Sequence, residues 1–85
     1  MEQTKKYTVI TGASSGIGYE AAKAFAERGK NLIVAARRTE NLETLKREIS
    51  EQHPTLDVII RTVDLSVLRN VYQFYSSLKD FPLET

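Results

Sequence analysis

Eighty-five residues, 41% of them apolar and 27% charged, suffice for one small folded unit and are too few for two. A net charge of +1 supplies no field to draw nucleic acid or an anionic membrane, so neither is expected as a partner. The chain has no cysteine and a single histidine, His53, which excludes disulfides and leaves no expected metal site.

The opening segment MEQTKKYTVITG holds no apolar core of the signal-peptide kind. The runs LIVAA and VII are far too short to span a bilayer, and a cytoplasmic location is expected.

Residues 7–11, YTVIT, are rich in β-branched side chains and predict a first strand. After a glycine-rich stretch, Ile17, Ala21, Ala24, Phe25 and Arg28 recur at helical spacing, and Gly29 offers a left-handed stop. Residues 31–36, NLIVAA, form a continuous apolar run, the pattern of a strand covered on both faces. Thr39 is placed to cap a second helix that carries Leu42, Leu45 and Ile49 on one side. Pro54 lies just past that helix, and DVIIRTV at 57–63 predicts a third strand. Ser66 is placed to cap a third helix bearing Val67, Val71, Phe74 and Leu78, and Phe81-Pro82 breaks it.

Alternation of this kind demands a parallel sheet with right-handed crossovers. The expected architecture is α/β: the β-α-β-α-β-α half of a doubly wound parallel sheet, strand order 3-2-1, as in a Rossmann fold.

The stretch TGASSGIG, residues 11–18, joins the first strand to the first helix. A helix that starts directly after a strand leaves its first amides unpaired and its positive dipole end exposed, which attracts phosphate. Gly12 would turn the chain off the strand, Gly16 would let a pyrophosphate approach the backbone, and Gly18 would let the helix pack on the sheet. Ser14 and Ser15 add hydroxyls for phosphate or ribose oxygens. A glycine triplet alone is equally a flexible turn; its position between strand and amphipathic helix is what favours a nucleotide.

Dinucleotide folds usually carry an acid at the end of the second strand to hold the ribose hydroxyls. Here that strand ends Ala35-Ala36-Arg37-Arg38, with no carboxylate. Arginine there would meet a 2′-phosphate, so NADP(H) is expected over NAD(H); for Arg38 a plain exposed charge is the equal alternative. The third strand runs into Asp64-Leu65. Asp64 would accept the adenine amino proton with the next amide donating to the ring, or would instead charge the start of the third helix.

TGASSGIG, AARR and VDLS, each after its strand, together resemble the short-chain dehydrogenase/reductase family. That resemblance implies a Rossmann oxidoreductase moving hydride between NAD(P)(H) and a small-molecule carbonyl or alcohol. It assigns Gly12, Ser14, Ser15, Gly16, Ile17 and Gly18 to the pyrophosphate and ribose loop, Arg37 to the NADP-preferring position, and Asp64 and Leu65 to the adenine pocket. The family's fourth strand, its Asn-Ala-Gly, its serine and its Tyr-x-x-x-Lys would all lie past residue 85. Residues 1–85 are therefore expected to be the cofactor-binding part, with no catalytic residue of their own. Tyr19–Lys23 and Tyr75–Lys79 match Tyr-x-x-x-Lys by spacing, but both sit on helices in ordinary amphipathic positions. The alternative reading is a stand-alone nucleotide-binding or interaction module, covering the edge of its first strand by forming a homo-oligomer.

Overall fold

In the computed structural model, which describes residues 6–14 and 16–83, three strands alternate with three helices. They are β1 (Tyr7–Thr11), α1 (Gly16–Glu27), β2 (Asn31–Ala36), α2 (Thr39–Gln52), β3 (Val58–Thr62) and α3 (Leu68–Ser77). The strands form one parallel sheet ordered β1-β2-β3, with Val9 opposite Ile33 and Ile33 opposite Ile59. This is the expected doubly wound half.

Alternation along the strands sorts the core into two layers. Leu32, Val34 and Ala36 of β2, with Ile10 and Val58, point to one face and meet Ala22, Ala26, Leu42, Leu45 and Ile49 of α1 and α2. Ile33 and Ala35 point to the other face with Tyr7, where Phe74 and Leu78 close over them. Five consecutive residues of β2 are thus buried, which is why its sequence is an unbroken apolar run rather than an alternating one. Each leucine or isoleucine fully buried in this way stabilises the fold by roughly 1.5–3 kcal/mol.

The placement of α3 follows from handedness. Two right-handed crossovers stepping from β1 to β2 to β3 put α1 and α2 on one face, and a connection travelling back must cross the other. The chain does travel back. The Tyr7 amide donates to the Pro82 carbonyl at 2.8 Å, and Leu83 forms a parallel bridge with Tyr7 on the edge of β1 away from β2. The direction of winding therefore reverses at β1.

Three local expectations are corrected. The buried stripe of α1 is Ala22 and Ala26, with Tyr19 and Phe25 packed beside them, whereas Ile17 is 90% exposed and Ala24 lies on the surface. Thr39 is the first residue of α2 and does not cap it: Arg38 occupies the cap, and the Thr39 hydroxyl bonds the Thr62 hydroxyl at 2.7 Å. Val67, not Ser66, precedes α3, because Ser66 is engaged with Asp64. In addition, β3 is one residue shorter at each end than the apolar run suggests.

Candidate functional site

All three strands end at the same edge of the sheet, and their following loops converge there. Gly12 leaves β1 with φ of 64°, a left-handed conformation that a side chain would oppose. The Ala13 amide then bonds the Ala35 carbonyl at 3.1 Å, and the Val63 amide bonds the Ala36 carbonyl at 2.9 Å. These bonds extend the parallel ladder one step beyond the strands and fix the loops relative to one another.

Between the loops lies a cavity of about 560 Å³. Its floor at the β1 end is Gly12 and Ser14; its wall at the β2 end is Ala36, Arg37 and Arg38. Val63, Asp64 and Leu65 close it at the β3 end. Six of the ten residues expected from the sequence thus share one cavity. Gly16 and Ile17 do not line it; they border a shallow apolar groove along α1 with Glu20, Ala21 and Ala24. Ser15 lies outside the described residues.

Gly18 acts from beneath. A Cβ at this position would fall against the carbonyl oxygen of Gly12 and the Cα of Ala13, so the first turn of α1 packs on the β1 loop only without a side chain. Gly16 differs: its φ is 61°, and the space beyond its Cα is open. One glycine serves packing; the other holds a left-handed turn whose outer side is clear.

Asp64 is held by its neighbour. Its Oδ1 accepts the Ser66 amide at 3.0 Å and the Ser66 hydroxyl at 2.6 Å, while the Asn70 side chain donates to its carbonyl at 3.1 Å. These bonds from Ser66, helped by the Arg37 guanidinium, hold its carboxyl below the usual range and keep it charged. Its Oδ2 makes no hydrogen bond among the described residues and remains an acceptor at the cavity.

Four cavity residues are not among the ligands expected from the sequence: Ala36 and Val63, which are apolar, and Asn41 and Ser66, which are polar. Asn41 sits in the first turn of α2, three residues past Arg38. Nothing in its sequence context marks it as a ligand; its place in the cavity does.

The donor set fits a dinucleotide phosphate ester: unobstructed main chain at a strand–helix junction, two guanidiniums, and a carboxylate across the opening. Tyr19 and Lys23 lie elsewhere, on the seam between α1 and α2. The Tyr19 hydroxyl donates to Glu48 at 2.7 Å, and Lys23 Nζ is 3.8 Å from the same carboxylate. That hydrogen bond, with burial, pushes the phenol up to about 12, the wrong direction for proton transfer at neutral pH. Tyr75 is exposed on α3.

Residues 6–81 match the family model described as short chain dehydrogenase. The chain belongs to the short-chain dehydrogenase family. It is 36% identical over 77 residues to an uncharacterised oxidoreductase of Mycobacterium tuberculosis, covering 91% of this chain and 30% of that protein. Among solved structures it is similar to a short-chain dehydrogenase from Sphingobium yanoikuyae in complex with NADPH. That match has a TM-score of 0.80 and 31% identity over 88% of this chain and 29% of the other. L-sorbose reductase from Gluconobacter frateurii, complexed with NADPH and L-sorbose, matches with a TM-score of 0.77 and 32% identity, covering 93% and 30%. The chain spans about 30% of the length of these family members.

Proposed function

We propose that residues 1–85 are the cofactor-binding part of an NADP(H)-dependent oxidoreductase that works in the cytoplasm on a small-molecule carbonyl or alcohol. The observation that carries this reading is the end of β2. Arg37 and Arg38 open onto the same cavity as Gly12, Ser14 and Asp64, and no carboxylate stands where a ribose-binding acid would. Support comes from the NADPH complexes among similar structures and from the oxidoreductases among relatives of known sequence.

In this reading each residue has a physical task. The β1–α1 junction receives the pyrophosphate, with Gly12 and Gly16 keeping the approach clear and the start of α1 offering its positive dipole end. Ser14 donates a hydroxyl to phosphate or ribose oxygens, as Ser15 would. Arg37 and Arg38 neutralise the 2′-phosphate at the far end of the cavity. Asp64, fixed by Ser66, accepts from the adenine amino group, and the Leu65 amide donates to the ring. When bound, the nicotinamide gives or takes the hydride; this chain's residues bind and orient its carrier.

Calorimetric titration with NADPH and with NADH tests the reading. The expected result is tighter binding of NADPH by at least tenfold, the size of one charge-assisted contact. Equal affinities, or tighter NADH, would overturn the assignment.

A further inference from the structure

The cavity's basic end contains an uncharged polar side chain that the fold leaves unused. Asn41 is half-buried, lines the cavity beside Arg37 and Arg38, and makes no hydrogen bond through its carboxamide among the described residues. Three hydroxyls in its surroundings are engaged elsewhere: Thr39 with Thr62, Thr44 with the Glu40 carbonyl, Ser66 with Asp64. Partly desolvating an amide without a partner is unfavourable, and selection of a hydrogen-bonding ligand is one way a site makes use of it. The carboxamide brings two N–H donors and no charge, so beside two guanidiniums it adds to a set of donors facing an acceptor-rich group. Glu40, the acid of the same helical turn, is exposed and takes no part in lining the cavity.

We propose that Asn41 is a specificity-determining residue, its carboxamide donating to the 2′-phosphate oxygens that Arg37 and Arg38 neutralise. The inference rests on the reading that this chain takes NADP(H). An amide in the first turn of α2 supplies direction where the arginines supply charge. The 2′-phosphate is thereby read by three side chains from two adjoining segments.

The test compares 2′,5′-ADP with 5′-AMP, which lacks only the 2′-phosphate, by calorimetric titration of the chain and three variants. The unaltered chain prefers 2′,5′-ADP, and Arg37→Ala removes most of that preference. Asn41→Ala weakens 2′,5′-ADP roughly tenfold and leaves 5′-AMP unchanged, a selectivity that a merely structural role would not produce. Asn41→Asp, nearly isosteric and so independent of any packing defect, weakens 2′,5′-ADP at least as much through like-charge repulsion. If Arg37→Ala loses the preference while both Asn41 variants keep it, or if they weaken both ligands equally, the role of Asn41 falls and the NADP(H) reading stands. If the unaltered chain shows no preference, or binds neither ligand, both fall together.

Discussion

A methyl group at position 18 has nowhere to go, because the Gly12 carbonyl already occupies its place. Gly18→Ala should therefore lower stability by about 3 kcal/mol, the upper end of what overpacking costs, because the obstacle is main chain. Gly16→Ala meets open space and suffers only from its positive φ, about 1–2 kcal/mol. Thermal unfolding of the two variants checks the order; a larger loss at Gly16 would contradict the packing role given to Gly18. Arg37 carries charge rather than stability. Arg37→Asp, exposed at the cavity mouth, should leave the unfolding midpoint within a few degrees and turn cofactor preference towards NADH, measured as the ratio of the two dissociation constants. Unchanged selectivity would remove Arg37 from the phosphate site. The glycines and the arginine pair were legible in the sequence because each departs from what its element needs: three glycines are poor helix openers, and two cations are idle at a strand end. Asn41 was not legible as a ligand, since asparagine in the first turn of a helix is ordinary and only the cavity shows where it sits.

At the scale of elements, α1 and α2 are joined by a polar seam as well as by alanine and leucine packing. The raised phenol pKa of Tyr19 has a defined consequence for stability. The fold holds the neutral form, so this contribution is complete below pH 10 and is lost as the pH rises from 10 towards about 12. Tyr7, bonded to Asp57 at 2.5 Å, is raised in the same direction and adds to the loss. Tyr19→Phe should cost about 1 kcal/mol at neutral pH and make the alkaline loss smaller, leaving the part due to Tyr7. Denaturant unfolding at pH 8 and pH 11 reads the difference; an alkaline loss as large in the variant as in the unaltered chain would show that the Glu48 bond is not its source. The half-exposed Lys23–Glu48 pair adds little in water.

Element existence was readable from period and punctuation: β2 coincides with its apolar run, and Gly29 closes the α1 turn with φ of 80°. Faces and caps were less so. Alanines at 21, 22, 24 and 26 leave the apolar stripe of α1 undetermined by composition, and only packing selects Ala22 and Ala26. Asp64 and Ser66 both suit a helix start. The structure resolves that competition by bonding one to the other and beginning α3 after both.

Across the whole molecule the two edges of the sheet are built for different ends. At the start of the strands, Asn31 accepts the Asp57 amide at 2.8 Å, Asp57 accepts from Tyr7, and the Tyr7 ring meets Phe81 edge-on at 5.4 Å. Side chains there satisfy one another. At the opposite edge, Arg37, Arg38 and Asn41 converge on a cavity. Between them β2, hydrogen-bonded to both neighbours and buried on both faces, should hold the slowest-exchanging amides; in hydrogen exchange Ile33–Ala35 should outlast Val9 and Ile59. Equal protection across the sheet would mean that the two layers do not fold around β2. The reversal of winding at β1, marked by the Leu83 bridge, places a topological switch point beside the glycine loop, where open α/β sheets bind ligands.

The most direct measurement is a residue-resolved NMR titration of the chain with NADP⁺. Saturable shifts are expected at the amides of Gly12, Ser14, Arg37, Asn41, Asp64 and Leu65, with Tyr7, Asn31 and Asp57 unmoved. Shifts confined to the Tyr7–Asp57 edge, or none at the glycine loop at saturating ligand, would contradict the proposed site.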